Sequence, residues 1–405
     1  LPFINNFGDA MERNPDSESN ENQPAPKLDL IRFYYDKLFP FQDMYNWLSY
    51  SGIKLQDNSH PSVFSRREFS MTLPGDVYLR YRAYSGLEDW RNDVKKHCPI
   101  KLDLGAVYNI PPSFKTTANK ATPLQREFTI DIDLTDYDNV RTCCQEGNIC
   151  LQCWQFIVAA VKVIDICLRE DFGFRSILWV FSGRRGIHCW VCDVTARELS
   201  NDQRSQLVAF LSVYEVQKKL NLQSPLHPSL VRAYTILEPL FEDIIVKAEK
   251  LLDTSQSWNR ILDHIPDAEL KQRLGNHFSN NEQSGIIRWR LIKSEVEGKI
   301  KKSQRSSGPK WDTILQQIVF SFVYPRLDVN VSRQLNHLLK SPFCAHPLTG
   351  RVCVPIDAEN IDRFHPDDVP DLSRLYTELS GGRCISSIDK YVSYFKDHFV
   401  NGLST

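Results

Sequence analysis

The chain has 405 residues, of which 42% are hydrophobic and 24% are charged, so it holds enough apolar material for one large domain or for two to three smaller ones. Its 49 basic and 50 acidic residues give a formal net charge of −1. This balance excludes a global electrostatic signature for nucleic-acid or membrane binding, and any site for a polyanion must come from local clustering.

Because no export signal is recognised and the number of cysteines is odd, we expect a reducing compartment. No stretch approaches the length of a transmembrane helix, and the first residues, LPFINN, lack the basic and then apolar plan of a secretory signal. The chain has eleven cysteines, an odd number. We therefore expect no membrane association, and we weigh clustered cysteines as metal ligands before disulfides.

The first half of the chain predicts a tail, a helix and then strands. Residues 1–27 lack periodic apolar content and are expected to be disordered. A helix is expected to begin at Leu28 and to end before Pro40. From about residue 60 the pattern is that of strands, interrupted by a long helix over 154–170 and followed by a hairpin over 177–193.

The apolar period changes from two to 3.6 residues in the second half of the chain, between about 197 and 318. Strand patterns return at 326–331 and 350–357, and a closing helix is expected over 387–400. We therefore predict an α/β fold with mixed β-sheets flanked by helices. Its main domain is expected in two parts, 28–200 and 319–405, separated by an inserted all-helical subdomain over 201–318.

The segment FTIDIDL (128–134) has the pattern of a buried strand with Asp131 and Asp133 on one face. Each carboxylate makes the other costlier to ionise, so positive partners or metal ions are expected in front of them. Their Cβ atoms would lie roughly 6–7 Å apart, close enough to bind one metal ion or two. Oxygen ligands suit Mg²⁺ or Mn²⁺ rather than zinc, but the same pattern occurs in glycosyltransferases, nucleases and surface strands.

Two further segments alternate in the same way. VYLRYRAY (77–84) places Arg80 and Arg82 on one strand face, and IKLDLGAVY (100–108) does the same with Lys101 and Asp103. A single such strand is most often a solvated edge, whereas three together favour a charged cleft.

The hairpin turn SGRRGIH (182–188) places Arg184 and Arg185 between two glycines, with His188 just after them. Glycine supplies unusual backbone angles and allows a ligand to approach the main chain, and arginine supplies forked donors matched to phosphate. A solvent-exposed hairpin tip explains the turn equally well by itself. Beside paired aspartates, the turn predicts recognition of a triphosphate that faces a metal site.

The segment CCQEGNICLQCW supplies four cysteines within eleven residues: Cys143, Cys144, Cys150 and Cys153. This density favours a small loop that binds structural zinc over free buried thiols, although adjacent cysteines both ligate only with a tight local turn. Five other cysteines are most simply core thiols: Cys98, Cys167, Cys344, Cys353 and Cys384.

Several motifs closely resemble the small catalytic subunit of eukaryotic DNA primase, of the archaeo-eukaryotic primase superfamily. They include EFTIDIDLTDYDNVRTCC, CLQCW, LREDFGF, LWVFSGRRGIHCWVCD, KLDLGAVYN and PRLDVNVSRQLNHLLKSPFCAHP, and the matches run from about residue 30 to 400. The resemblance implies a primase-type catalytic domain with a small zinc-binding loop.

The resemblance also implies roles for individual residues. Asp131 and Asp133 match the metal-binding pair, and Asp328, on the polar face of the RLDVNV segment, matches a third catalytic carboxylate that no spacing argument could place beside them. Triphosphate contacts are implied for Ser182, Arg184, Arg185, His188, Lys340 and His346. Glu68, Arg80, Lys101 and Asp103 match the lining of the nucleotide pocket, with Asp103 as the ribose contact, and Cys143, Cys144, Cys150 and Cys153 match zinc ligands.

The implied activity is that of a DNA-directed RNA polymerase that makes short RNA primers on single-stranded DNA from ribonucleoside triphosphates, with two Mg²⁺ or Mn²⁺ ions. The implied setting is the nucleus, with a larger iron–sulfur primase subunit and the DNA polymerase α complex as partners. The basic stretch 298–310 could contact template or act as an import signal, but a solvated loop is favoured. Two alternatives stay open: an Asp-x-Asp transferase of nucleotide sugars, and a non-catalytic scaffold in a primase assembly.

Overall fold

A computed structural model describes residues 27–50, 63–114, 120–213, 220, 222–303, 311–382 and 384–404. The disorder predicted for residues 1–27 lies outside the described residues apart from Lys27, and the end of the basic stretch 298–310, beyond residue 303, lies outside them too.

Nine strands form two sheets within the described residues. They are β1 (Arg67–Leu73), β2 (Val77–Arg82), β3 (Lys101–Tyr108), β4 (Pro123–Gln125), β5 (Phe128–Asp133), β6 (Ile177–Phe181), β7 (Gly186–Val191), β8 (Leu339–Lys340) and β9 (Pro355–Ile356). The first sheet has the order β2-β1-β3, with β4 and β8 on the far edge of β3, and the second has the order β5-β7-β6-β9.

The α/β class is confirmed, but every strand pair in the described part of the chain is antiparallel rather than mixed in direction. The connections explain this difference. The short turns between β1 and β2 and between β6 and β7 reverse the chain at once, whereas parallel neighbours need a crossover of a dozen or more residues.

Fourteen α-helices are described, and they confirm the predicted helices wherever the residues are described. They are α1 (Leu28–Lys37), α2 (Phe41–Ser49), α3 (Leu87–His97), α4 (Leu151–Glu170), α5 (Val194–Arg197), α6 (Asn201–Leu211), α7 (Pro228–Phe241), α8 (Ser255–Leu262), α9 (Ala268–Asn280), α10 (Gly285–Ser303), α11 (Ile314–Val323), α12 (Val329–Arg333), α13 (Leu372–Ser380) and α14 (Asp389–Tyr394). Helices α7 and α14 continue as π-helical turns over Glu242–Ala248 and Phe395–Val400.

The second sheet and α4 share a core. The apolar side chains of β5 are fully buried, while Asp131 and Asp133 on the opposite face are half-buried. Trp154 of α4 packs edge-on against Phe181 of β6, with ring centroids 5.7 Å apart. Contrary to the sequence-based expectation, α4 is long and apolar enough to cross a membrane, but 67% of its apolar window is buried inside the protein, as in a core helix.

A buried ion pair joins the two sheets. Arg67 of β1 donates to both carboxylate oxygens of Glu127, which precedes β5, at 2.8 and 2.9 Å, and Tyr50 donates to the same carboxylate at 2.5 Å. Burial opposes ionisation of Glu127, but the charge and hydrogen bonds of Arg67 outweigh it and lower its pKa to about 2. The two sheets are therefore fixed to each other at the end where β5 begins.

A β-bulge in β2 separates Arg80 from Arg82. Phe69 lies opposite Arg82 and Met71 lies opposite Leu79, so a step of two residues on β1 faces a step of three on β2. The extra residue turns Arg82 toward Asp93 of α3, at 2.6 Å, while Arg80 remains on the other face. The prediction that the two arginines share a face is wrong, because alternation holds only where the ladder has no inserted residue.

The segments around Asp328 and residue 350 are less regular than predicted. The segment 326–331 is not a strand: Asp328 is the N-cap of α12, and its carboxylate accepts a hydrogen bond from the Asn330 N–H at 2.9 Å. The alternation of apolar and polar residues indicated a strand, but Asp328 caps a helix that begins at the next residue. Of 350–357, only Pro355–Ile356 forms a strand, with isolated bridges at Arg351 and Val352.

Candidate active site

The two aspartates of β5 face the strand that follows the arginine turn. Asp131 lies opposite His188 of β7, and Asp133 lies opposite Gly186. The Asp131 Oδ1 and His188 Nε2 atoms are 3.8 Å apart. Asp133 Oδ1 accepts hydrogen bonds from the backbone N–H and the hydroxyl of Thr135, both at 2.8 Å, which fix its orientation. The strand geometry thus presents both carboxylates on one open face.

Asp328 lies beside this pair although it is almost two hundred residues away in the chain. Its backbone N–H donates to the carbonyl oxygen of Asp131 at 3.0 Å. Because Asp328 also caps α12, its carboxylate is held at the start of that helix, which packs against β5. The structure therefore brings the three aspartates together.

Two buried arginines that the sequence analysis did not single out hold the Asp328 segment in place. Arg126 is 1% exposed and donates to the carbonyls of Val331 and Gln334, both at 3.0 Å, and to the Thr129 hydroxyl at 2.6 Å. It thereby ties the end of α12 to β5.

Arg326 fastens the other end of the same segment. It is 5% exposed and donates to the Asp136 carbonyl at 2.5 Å and to Asn139 Oδ1 at 2.6 Å, while its N–H donates to the Tyr137 hydroxyl at 3.0 Å. A buried arginine needs hydrogen-bond acceptors for its charged group. The contacts of Arg126 and Arg326 therefore fix the position of Asp328 between them. No pattern in the local sequence marked either of them.

A fourth carboxylate, Asp136, belongs to the same electrostatic group. Partial loss of hydration, and then the negative charges of Asp133 and Asp328, raise its pKa to about 6. The charges of Arg326 and Arg185 lower the pKa of Asp136 but do not outweigh burial and the two neighbouring carboxylates. The acidic run DIDLTDYD carried this signal, and the sequence analysis did not use it.

The raised pKa predicts how stability changes with pH when no divalent cation is added. Because the folded state holds the Asp136 proton more tightly than the unfolded state, the free energy of unfolding should fall as pH rises from about 5 to about 7. Urea denaturation at several pH values measures this slope. Asp136→Asn should flatten it, and an unchanged slope in that variant would contradict the assignment.

Both glycines of the hairpin turn are required by close contacts. Gly183 has a φ of 89°, and a Cβ there would lie 2.6 Å from the His346 Cβ. A Cβ at Gly186 would lie 2.5 Å from the Ile132 carbonyl oxygen of β5. Ser182 Oγ accepts a hydrogen bond from the Gly186 N–H at 3.0 Å, which closes the turn. The turn is therefore pressed tightly against β5 and against the segment around His346.

The two arginines of the turn point to different neighbours. Arg185 Nε donates to both carboxylate oxygens of Asp133, at 2.7 and 2.9 Å, so its charge faces the acidic group. The guanidinium of Arg184 lies instead against Gly147 of the cysteine loop, where an added Cβ would be 1.8 Å from its Nη2 atom.

A row of charged side chains crosses the first sheet and reaches the turn. Asp103 of β3 lies opposite both Ser70 and Lys340 in the strand register. Lys101 Nζ is 3.8 Å from Asp103 Oδ1, which confirms that these two share a face. Lys340 Nζ donates to the Ser182 carbonyl at 3.2 Å. The two sheets thus meet where Lys340 contacts the turn.

Glu68 is buried behind Arg80 rather than exposed. Its carboxylate is fully buried and accepts from Arg80 Nε at 2.9 Å and from the Tyr108 hydroxyl at 2.7 Å. Arg80 also donates to the Asn336 carbonyl at 3.2 Å. Burial, and then the charge of Arg126, lower the pKa of nearby His337 to about 4, so that ring is neutral at pH 7. The sequence analysis did not single out His337.

His346 lies beside the turn, and one of its ring nitrogens accepts hydrogen bonds from the backbone. Its Nδ1 accepts from the backbone N–H groups of Leu348 and Thr349 at 3.2 and 3.4 Å. The Thr349 hydroxyl in turn donates to the Gly183 carbonyl at 2.7 Å. This arrangement puts the proton on Nε2, the nitrogen that can donate to a ligand.

The cysteine cluster fits a structural zinc ion. The sulfur atoms of Cys143, Cys144, Cys150 and Cys153 all lie within 4.8 Å of one another, and the last two are 3.9 Å apart. Tetrahedral zinc with Zn–S bonds of about 2.3 Å needs sulfur separations close to these. Burial, and then neighbouring sulfurs, raise the pKa of Cys144 to about 11.

The other cysteines predicted to be core thiols are buried, except for Cys384, which is exposed. No disulfide links any cysteines in the described part of the chain.

Comparison with known proteins places this architecture in one family. A model of the DNA primase small subunit family matches residues 130–358. The chain is 42% identical over 356 residues to the DNA primase small subunit of Schizosaccharomyces pombe, covering 85% of this chain and 76% of that protein. The corresponding figures are 38% over 370 residues for the Drosophila melanogaster protein (88% and 83%) and 34% over 388 residues for the Saccharomyces cerevisiae protein (92% and 91%). The chain therefore belongs to the DNA primase small subunit family.

Proposed function

We propose that this chain is a DNA-directed RNA polymerase that synthesises short RNA primers on single-stranded DNA from ribonucleoside triphosphates. The observation that carries the proposal is the hydrogen bond from the Asp328 N–H to the Asp131 carbonyl, which brings a third aspartate to the strand on which Arg185 pairs with Asp133. Family membership, and relatives named as primase small subunits, support the same activity.

Asp131, Asp133 and Asp328 would hold two Mg²⁺ or Mn²⁺ ions, because their donors are oxygens and because the negative charges of Asp133 and Asp328 are close enough to contribute to the raised pKa of Asp136. Bound there, such ions lower the pKa of an attacking hydroxyl and neutralise charge on a triphosphate and its pyrophosphate leaving group.

The basic side chains of the cleft position the nucleotide. Arg184, Arg185, His188, Lys340 and His346 would bind the triphosphate, together with the turn at Ser182, and hold it in line for attack. Arg80, fixed by buried Glu68, and Lys101 would line the nucleotide pocket. Asp103, directly opposite Lys340 in the sheet, would accept a hydrogen bond from the ribose 2′-hydroxyl. This contact would favour ribonucleotides over deoxyribonucleotides. No covalent nucleophile is needed.

The wider setting is part of the proposal. The catalytic domain comprises 28–200 and 319–405, with a helical subdomain over 201–318. A larger iron–sulfur subunit helps to start the primer, and DNA polymerase α extends it, in the nucleus. Zinc at the four cysteines stabilises the loop.

Primer synthesis by the isolated chain tests the proposal. The chain is given a single-stranded DNA template, Mg²⁺ or Mn²⁺, and either ribo- or deoxyribonucleoside triphosphates. We expect dinucleotides and short RNA that require a divalent cation, and a preference for ribonucleotides that weakens in Asp103→Ala. Absence of any product with either metal would contradict the activity.

The two alternatives predict different outcomes. A transferase of nucleotide sugars would make no dinucleotide from free ribonucleotides. A scaffold would leave primer synthesis intact in a reconstituted complex that carries Asp131→Ala and Asp133→Ala, whereas we expect that complex to be inactive.

A further inference from the structure

The side chain of Arg184 rests on a glycine of the cysteine loop. An added Cβ at Gly147 would lie 1.8, 2.6 and 3.0 Å from the Nη2, Cζ and Nε atoms of Arg184, so the guanidinium covers this glycine closely. The φ of Gly147 lies outside the left-handed region, so the backbone at this position is open to other residues. What this glycine provides is a flat surface for the arginine.

The backbone on both sides of Gly147 is held by one buried arginine. Arg141 is 2% exposed, and it donates to the Glu146 carbonyl at 2.8 Å and to the Asn148 carbonyl at 3.0 Å. These two carbonyls flank Gly147 directly. Arg141 also pairs with Asp138 at 2.5 Å, which ties the loop to the segment that follows β5.

The same arginine reaches the cysteine cluster. Arg141 Nη1 lies 3.8 Å from the Cys153 Sγ atom, within hydrogen-bond distance for sulfur. A thiolate that binds a metal keeps negative charge, so this donor is worth more when the cluster is loaded. The start of the loop is also fixed by Glu249, which is 3% exposed and accepts from the Thr142 hydroxyl at 2.6 Å.

We propose that the cysteine loop is a positioning element of the triphosphate site. Gly147, fixed by Arg141 and by the loaded cysteine cluster, holds the Arg184 guanidinium in the place where it binds the nucleotide. The inference rests on the proposed function and adds to it a physical link between the zinc site and nucleotide affinity.

The physical reason is the cost of ordering a long side chain. A free arginine side chain loses rotamer entropy when it is held in one geometry. A loop that orders Arg184 before the nucleotide arrives removes part of this cost from binding. Zinc that served only to stabilise the fold would affect the melting temperature and leave nucleotide affinity unchanged.

The test measures the equilibrium dissociation constant of ATP for the full chain by calorimetry. Gly147→Val puts side-chain atoms where the guanidinium lies, and we expect it to weaken ATP binding by about tenfold. Its zinc content and melting temperature should stay at the wild-type values. Gly86→Val is the matched control, because Gly86 has an extended backbone and a Cβ there meets nothing within 4 Å.

A double-mutant cycle separates the positioning of the Arg184 side chain from other effects of Gly147→Val on ATP binding. Arg184→Ala should weaken ATP binding to a similar degree, and adding Gly147→Val to it should cause no further loss. Removing zinc from the wild-type chain should weaken ATP binding, and removing it from Arg184→Ala should not.

Each remaining outcome has a definite meaning. Wild-type affinity in Gly147→Val, or losses that add in the double variant, would overturn the inference and leave the proposed function standing. Failure of the wild-type chain to bind ATP at all would overturn the proposed function and this inference with it.

Discussion

Asp328→Asn is expected to reduce primer synthesis by about a thousandfold or more while the chain stays folded. Asp328 is joined through its backbone to the strand that carries Asp131 and Asp133, and an amide oxygen is a much weaker ligand for a divalent cation than a carboxylate oxygen. The substitution is well suited to the question because asparagine caps a helix as well as aspartate does, so the hydrogen bond to the Asn330 N–H and α12 itself should survive. Single-turnover extension of a primed template measures the effect.

Asp136→Asn is the matched control for this experiment. Asp136 also carries negative charge near Asp133 and Asp328, yet we assign it no cation ligand. Its substitution should change the rate by less than about tenfold, since only a screened charge is lost. Equal losses in the two variants would mean that total charge, rather than ligation by Asp328, determines activity.

Arg126→Met is expected to lower the free energy of unfolding by about 3 kcal/mol and to remove most of the activity as well. The side chain is 1% exposed, and its loss leaves the carbonyls of Val331 and Gln334 buried without these donors. Burial, and then the charge of Arg204, lower the pKa of Arg126 to about 9, which shows how thoroughly it is desolvated. Without the hydrogen bonds of Arg126, α12 and Asp328 are no longer held in a fixed position beside β5.

Urea denaturation and primer extension measure the two effects of Arg126→Met. Arg273→Met is the control, because Arg273 is 60% exposed and pairs with Glu295 at the surface, where an ion pair contributes about 1 kcal/mol or less. A variant at Arg126 that is destabilised but fully active at low temperature would contradict the claim that this arginine positions Asp328.

The sequence predicts the local structure of the site well, because local structure follows from side-chain alternation and turn chemistry. The strand that carries Asp131 and Asp133, the hairpin after it and the cysteine loop all lie where their patterns indicated. Periodicity fails where one inserted residue shifts the register, as in the bulge that separates Arg80 from Arg82. It also fails at Asp328, where a strand-like alternation yields to a capping hydrogen bond.

What the sequence alone does not reveal is how distant segments meet. The place of Asp328 depends on Arg126 and Arg326, and neither stands out from the other arginines of the chain. The two arginines of the turn look equivalent in sequence, yet Arg185 pairs with Asp133 and Arg184 lies on Gly147. Only the three-dimensional arrangement of the two sheets and the cysteine loop distinguishes them.

The most direct test of the account is a crystal structure with Mn²⁺ and a non-hydrolysable ATP analogue, in which anomalous scattering locates the metal. We expect manganese within about 2.3 Å of carboxylate oxygens from all three aspartates, with the triphosphate held between the metal and the turn at Ser182. Manganese bound to β5 with Asp328 outside its coordination sphere, or a triphosphate bound away from the turn, would contradict it.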